Sequence, residues 1–360
     1  MALSANEALR IGAVGIGLTA ALYLAARFGG GGSTDGRSLV RESDEPATTS
    51  AAPSKPAGRA VWQRTYAPSG DGGGARIAGV AATKAGELVV AGSFTGALRF
   101  GDATLESAGE DDVFVAKLDR AGQPVWAKRF GGPGYQNATG VAVGEDGEIA
   151  VTGTIDQRAD FGGAVLASAG MIDVFVLRLA PDGKHLWSQR FGDEHEQEGG
   201  AVAIDREGAV LVAGSYEGTL DFGSGPLTSA GHDDVFVVKL DRAGKEVWSR
   251  RFGDDGQQKA RAIAVAPSGD VVVTGTFRGH LVVGKADLAS ADAEVLHVFA
   301  LDAAGAPRWA RAGKATPGSV VNPRGLAVDG DGAITVAASL RGAMEIGGAR
   351  LDDRGVEGAA

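Results

Sequence analysis

Apolar positions in this chain gather in short runs broken by glycine-rich polar stretches, and the runs return in a fixed order. Within a run the alternation of a half-wet strand is missing. Val210-Leu211-Val212-Ala213 and Val235-Phe236-Val237-Val238 put apolar side chains on consecutive positions, which predicts strands covered on both faces. Each unit opens with an A-strand of small residues (GVAV, AVAI, AIAV), followed by a tight turn (GEDGE, DREGA, PSGD). A B-strand follows (EIAVTGT, VLVAGS, VVVTGT), then a longer connection such as DFGSGPLTSAGHDD. A C-strand (DVFVVKLD), a glycine turn and a tryptophan-bearing D-strand (EVWSRRF) close the unit. Four strands and two short hairpins are therefore expected per unit.

The period is regular. Trp62, Trp126, Trp187, Trp248 and Trp309 are spaced 64, 61, 61 and 61 residues apart, so each tryptophan marks the same place in a repeat. Full units run over about 75–131, 138–192, 199–253 and 260–314, and a partial one covers 324–360. Sheets that are apolar on both sides must be stacked, and radial stacking also protects most strand edges. The expected fold is thus an all-β β-propeller of about five four-stranded blades over 60–360, the last split or incomplete. Ala81, Ala142, Ala203, Ala264 and Ala327 recur where inner strands would converge, and Lys128, Arg129, Arg190, Arg250 and Arg251 read as charge guarding the outer edge. A solenoid is the second architecture, but it predicts capping repeats that the sequence does not show. The segment AVWQRTY (60–66) reads as an orphan D-strand able to close the ring beside the last A and B strands.

In Asp119-Arg120-Ala121-Gly122-Gln123-Pro124-Val125-Trp126 the Asp and Gly suit a tight turn, and the indole suits packing between neighbouring sheets. Gly122, Gly183, Gly244 and Gly305 all stand four residues before a tryptophan. These recurring letters read as structural. The unit NATGVAVGEDGEIAVTGTIDQRADFGGAVLASAGMIDVFVLRLAPDGKHLWSQRFGD resembles the bacterial β-propeller repeat (SBBP type) found in exported proteins of myxobacteria and their relatives. That resemblance covers about residues 60 to 350 and implies a propeller in an extracytoplasmic setting, with no catalytic residues to carry over. The Gly-x-x-x-Trp turn is also similar to the tryptophan-docking motif of quinoprotein dehydrogenases.

Composition narrows the chemistry. The 360 residues contain no cysteine, which excludes disulfides, zinc knuckles and thiol nucleophiles. Forty-five acids against 35 bases give a net charge of -10, which disfavours nucleic acid as a partner. Residues 1–28 read as a signal peptide or signal anchor, because Ile11 to Ala26 is uncharged between Arg10 and Arg27 and offers a possible membrane tether. Gly15-Ile16-Gly17-Leu18-Thr19-Ala20 matches a dinucleotide fingerprint without a preceding strand and is set aside. Residues 29–59, rich in Gly, Ser, Thr and Pro, read as a disordered linker. The expected location is the periplasm, the cell envelope or the exterior, with the body free or tethered to the inner membrane.

Variation between copies points to the binding surface. In a propeller the D-to-A and B-to-C connections share one face, and here they differ from unit to unit: GGPGYQNATG, GDEHEQEGG and GDDGQQKAR, with the segments around GEDD, GHDD and DAEV. Tyr135, Asn137, His195, Glu196, His232, Asp254 and Asp255 are the expected ligand-facing residues. No catalytic residue is assigned. No metal or cofactor is expected: the histidines lack ligand spacing, and Asp329-Gly330-Asp331-Gly332 sits where other units carry a hairpin turn. His297 replaces the phenylalanine of positions 114, 175 and 236 and reads as a core substitution. Two functional classes remain. The first is a non-enzymatic binding or scaffolding propeller for a protein or polysaccharide of the cell envelope. The second is a glycan hydrolase or lyase with acids at the axial opening.

Overall fold

The computed structural model describes residues 62, 64, 66, 68–347 and 349–353, so the apolar segment 11–26, the fingerprint match and the linker 29–59 lie outside it. Among the described residues no helix is long and apolar enough to cross a membrane. The described body is built of strands. In the first unit the A, B, C and D strands are Pro68–Ala82, Leu88–Phe100, Asp112–Leu118 and Pro124–Phe130. The second has Gln136–Val143, Ile149–Ile155, Asp173–Leu179 and His185–Phe191. Gln197–Ile204, Val210–Tyr216, Asp234–Leu240 and Glu246–Phe252 form the third, and Gln257–Val265, Val271–Val283, Ala286–Leu301 and Pro307–Ala312 the fourth. All four are antiparallel sheets in the order A-B-C-D. The fifth contributes Val320–Val328 paired with Ile334–Arg341.

One element went unforeseen. The B-to-C connection contains its own hairpin, formed by Thr219–Asp221 with Pro226–Thr228 in the third unit and by Arg158–Ala159 with Leu166–Ala167 in the second. In the first and fourth units the same hairpin continues out of the B-strand, and in the fifth it pairs Ala343–Ile346 with Ala349–Asp352. It adds core. Phe100, Phe161 and Phe222 enter from these hairpins and meet Phe114, Phe175 and Phe236 of the C-strands, with ring centroids 5.5, 4.6 and 5.5 Å apart.

The core lies between units rather than inside one sheet. Leu211, Ala213, Val235 and Val237 of the third unit bury against Val273, Phe277 and Phe299 of the fourth, and corresponding clusters fill the other internal seams. At these seams the A-strands approach closely, so that a Cβ on Gly200 would stand 2.4 Å from the Ala260 carbonyl oxygen. Small residues are required there for steric reasons. On the short-turn side, buried Arg178 ties two units together by pairing with Glu148 and donating to the Gly208 carbonyl at 2.6 Å.

Four of the indoles dock on the following unit. The Nε1–H groups of Trp62, Trp126, Trp187 and Trp248 donate to the carbonyls of Arg120, Pro181, Arg242 and Ala303, at 2.9, 3.3, 2.9 and 3.0 Å. The turn glycine beneath each ring is buried, and it takes a positive φ of 73° to 84° at Gly122, Gly183, Gly244 and Gly305. Two positions beyond the tryptophan, Lys128, Gln189 and Arg250 donate to the carbonyls of Gly183, Gly244 and Gly305. Arg129, Arg190 and Arg251 reach back to buried Asp112, Asp173 and Asp234. The D-strand cations, on the edge strand of each sheet, are thus also engaged with carbonyls of the next unit or with a carboxylate of their own.

Gly244→Ala follows as a test of the seam. A Cβ at Gly244 would stand 3.1 Å from the Trp187 ring and 2.5 Å from the Gln189 amide, on backbone at φ 84°. Strain and collision together should cost about 1–2 kcal/mol. Guanidinium unfolding of the variant, with its midpoint compared to wild type, checks this, and an unchanged midpoint would refute the docking role.

Candidate functional site

Long-loop geometry begins with three repeated polar residues that sequence reasoning left unassigned as partners. Asp112, Asp173 and Asp234 open the C-strands and are fully buried. Each accepts a hydrogen bond from its arginine and another from the amide of Ala108, Ala169 or Ala230, at 2.8, 2.7 and 2.9 Å, which pins the B-to-C loop. Burial raises the pKa of Asp173 and of Asp234, against the pull of Arg190 and Arg251 respectively. Buried Gln136, Gln197 and Gln258 do the same for the D-to-A loops. Their side-chain carbonyls accept from the amides of Gly132, Asp193 and Asp254, and their side-chain amides donate to the backbone oxygens of Asp156, Glu217 and Arg278.

The two loops touch at a glycine. A Cβ on Gly109 would stand 2.2 Å from the Pro133 oxygen, and one on Gly170 or Gly231 would stand 2.4 Å from Glu194 or Asp255. This contact explains the recurring Ser-Ala-Gly of the connection. Asp193 also accepts from the Thr219 amide at 2.7 Å, and Asp254 from the His280 amide at 2.8 Å, which locks the added hairpin to the same loop. Burial would raise the Asp193 pKa, but hydrogen bonds from the His195 and Thr219 amides outweigh it and lower the value.

The expected ligand-facing residues divide into two groups on this framework. Tyr135, His195, Glu196, His232 and Asp255 stand exposed above it. Tyr135 hydrogen-bonds Glu110, which raises the phenol pKa. The His195 ring faces Asp193 at 3.2 Å, and the His232 ring faces Glu217 at 3.6 Å. Asn137 and Asp254 sit lower, half-buried, and work within the framework. The Asn137 side-chain oxygen accepts from Ser93 at 2.9 Å and from Arg76 across the first seam. Exposed Glu110, Met171 and Glu194 complete the rim and were not singled out from the sequence.

Among the described residues no three histidine, aspartate or glutamate side chains converge as a metal site. Asp329 caps its own hairpin, accepting from the amides of Asp331 and Ala333 at 3.0 and 2.8 Å. A shallow cavity of about 160 Å³ lies at the opposite, short-turn end, between three successive A-to-B turns that include Asp205, Pro267 and Asp329.

Stacked four-stranded units joined by indole docking define an all-β repeat protein of propeller-like character. Comparison with known proteins agrees at that level. The chain is 27% identical over 199 residues to an uncharacterized WD repeat-containing protein of Acanthamoeba polyphaga mimivirus, a match covering 46% of this chain and 14% of that protein. It is 27% identical over 175 residues to the regulatory protein FlaEY of Caulobacter vibrioides, covering 47% of this chain and 18% of that one. The chain thus spans less than a fifth of either relative. No family model matches.

Proposed function

We propose that this protein is a non-enzymatic, extracytoplasmic binding module that grips a protein or polysaccharide of the cell envelope through its long-loop face. One observation carries this reading: unlike residues stand exposed on loops held in place by the same buried Asp and Gln, with the same arginine partner, in three successive repeats. Loops fixed before binding lose little conformational entropy on contact, which is what a recognition surface needs. The rim is acidic, with Glu110, Glu194, Glu196 and Asp255 all exposed, so it favours basic or neutral hydrogen-bonding groups over a polyanion. Export rests on the apolar segment 11–26 and on the resemblance to exported repeat proteins.

The competing enzymatic reading needs free acids converging at the axial mouth. The carboxylate pairs of the long-loop side, buried Asp173 near half-buried Asp193 and buried Asp234 near half-buried Asp254, each already accept hydrogen bonds that hold loops in place. A glycan array and an envelope pull-down with the purified protein test the binding reading. Binding that a Tyr135→Ala/Asp255→Ala double variant weakens about tenfold, the loss of roughly 1.4 kcal/mol, is the expected result. No ligand in either assay, or a ligand indifferent to those changes, would reject it.

A further inference from the structure

Among the described residues, the first and the fifth units each present a strand face that no other described unit covers. In the first unit Ile77 occupies the register position held by Ala138, Gly199 and Ala260 in the next three, opposite the B-strand glycine of its own sheet. Those counterparts are sealed by the preceding unit: Ala138 is 3% exposed and Ala260 0%, whereas Ile77 is 67% exposed. Val80 repeats the contrast at 54% exposed, where Val202 and Ile263 are 8% and 7%.

At the far end the fifth B-strand shows the opposite face. Thr335 takes the position of Val89, Ala150, Leu211 and Val272, all of them buried at 2% or less, and it is exposed. Ala337 matches Ala91 and Ala213, which share core clusters with Ala138 and Ala260 across internal seams. Ser339 matches Ser93, whose hydroxyl accepts from the Ala138 amide at 3.0 Å across the first seam. The fifth unit therefore carries the acceptor and the small residue that the uncovered edge around Ile77 lacks.

We propose that two copies of this chain associate head to tail, the Thr335–Ala337–Ser339 face of one seating on the Ile77–Val80 face of the next. The internal seams supply the template, and the two faces are each left open by the described residues. Such a contact is heterologous, because the two surfaces differ. Threonine at 335, where internal seams use Val, Ala or Leu, keeps this face compatible with water and makes the association reversible.

The absence of cysteine permits a direct test in the full chain. Ile77→Cys and Ala337→Cys proteins are prepared separately, mixed and oxidised. Both substitutions leave the internal seams intact. A disulfide-linked dimer in the mixture, absent from either protein alone, is the expected result. It should also be absent when Val125→Cys, exposed on a D-strand, replaces Ile77→Cys. The double variant settles the rival arrangement, since an internal disulfide that speeds its migration as a monomer, with no dimer in the mixture, would mean that one chain closes on itself and would overturn the proposal. No cross-link anywhere, or equal cross-linking through Val125→Cys, would overturn it as well.

Discussion

Trp248→Ala is expected to remove about 3–5 kcal/mol of stability, the cost of truncating a large, well-buried aromatic side chain. Trp248 is the most deeply set of the docking indoles, at 7% exposed, and belongs to the cluster joining the third and fourth units. Its Nε1–H bond to Ala303 disappears with the ring, as does the stacking of the Arg250 guanidinium 5.7 Å from the ring centroid. Because units contact mainly their neighbours, the damage should concentrate at one seam. Hydrogen exchange should then show lost protection in the Gln257–Val265 and Val271–Val283 strands while the Ile149–Ile155 strand stays protected. Trp126→Ala, at a half-buried ring, should cost less. If both variants unfold within about 1 kcal/mol of wild type, the indoles do not hold the units together.

Legibility from the sequence followed the same physics. Strand order and seam tryptophans were readable because both recur with the period and because continuous apolar runs can only be buried on two sides. The added hairpin was not readable. Its strands in the second unit are two residues long and made of Arg158, Ala159, Leu166 and Ala167, too short for any alternation to register. The Asp–Arg pairing carried a signal that went unused: Asp112, Asp173 and Asp234 each precede their arginine by 17 residues. In the fourth unit the two corresponding positions are Val295 and Ala312, so acid and base vanish together. Read one strand at a time, an arginine near a sheet edge looks solvated, and only the pleat decides which way it points. For the candidate site, variability located the exposed rim at Tyr135, His195, Glu196, His232 and Asp255. It could not separate these from Asn137, which bonds Ser93 and Arg76 across a seam, or from Asp254, which holds Gln258 and the His280 amide.

Acidification should weaken the fold through His297, and replacing this residue by phenylalanine should abolish that part of the pH dependence. His297 is fully buried in the seam between the third and fourth units, stacked on Phe299 at 5.5 Å, with Nε2 3.0 Å from the Lys259 carbonyl. That acceptor requires the neutral tautomer with its proton on Nε2, and the other ring nitrogen has no partner. Burial depresses its pKa from 6.5 to about 4, with the Lys259 bond opposing in part. The ring thus stays neutral in the folded state while the unfolded chain takes up a proton below pH 6.5. Stability is complete above that value and falls as pH drops towards 4, by about 3 kcal/mol in all. Lys259 is ion-paired to Asp233 at 3.2 Å, which leaves the histidine without a carboxylate of its own to absorb a second charge. Phenylalanine fits by precedent, since Phe236 occupies the same register against Gly214 and the Glu198 carbonyl in the third unit. Burial raises the carboxyl pKa of Asp173 and Asp234, an effect of opposite sign that the variant shares with wild type, so the difference between the two stability curves isolates the imidazole. Urea unfolding of both proteins from pH 4 to 7.5 should give curves that separate steadily below pH 6.5, with the variant ahead. Curves that run parallel across the range would show that the imidazole is not held neutral in the seam.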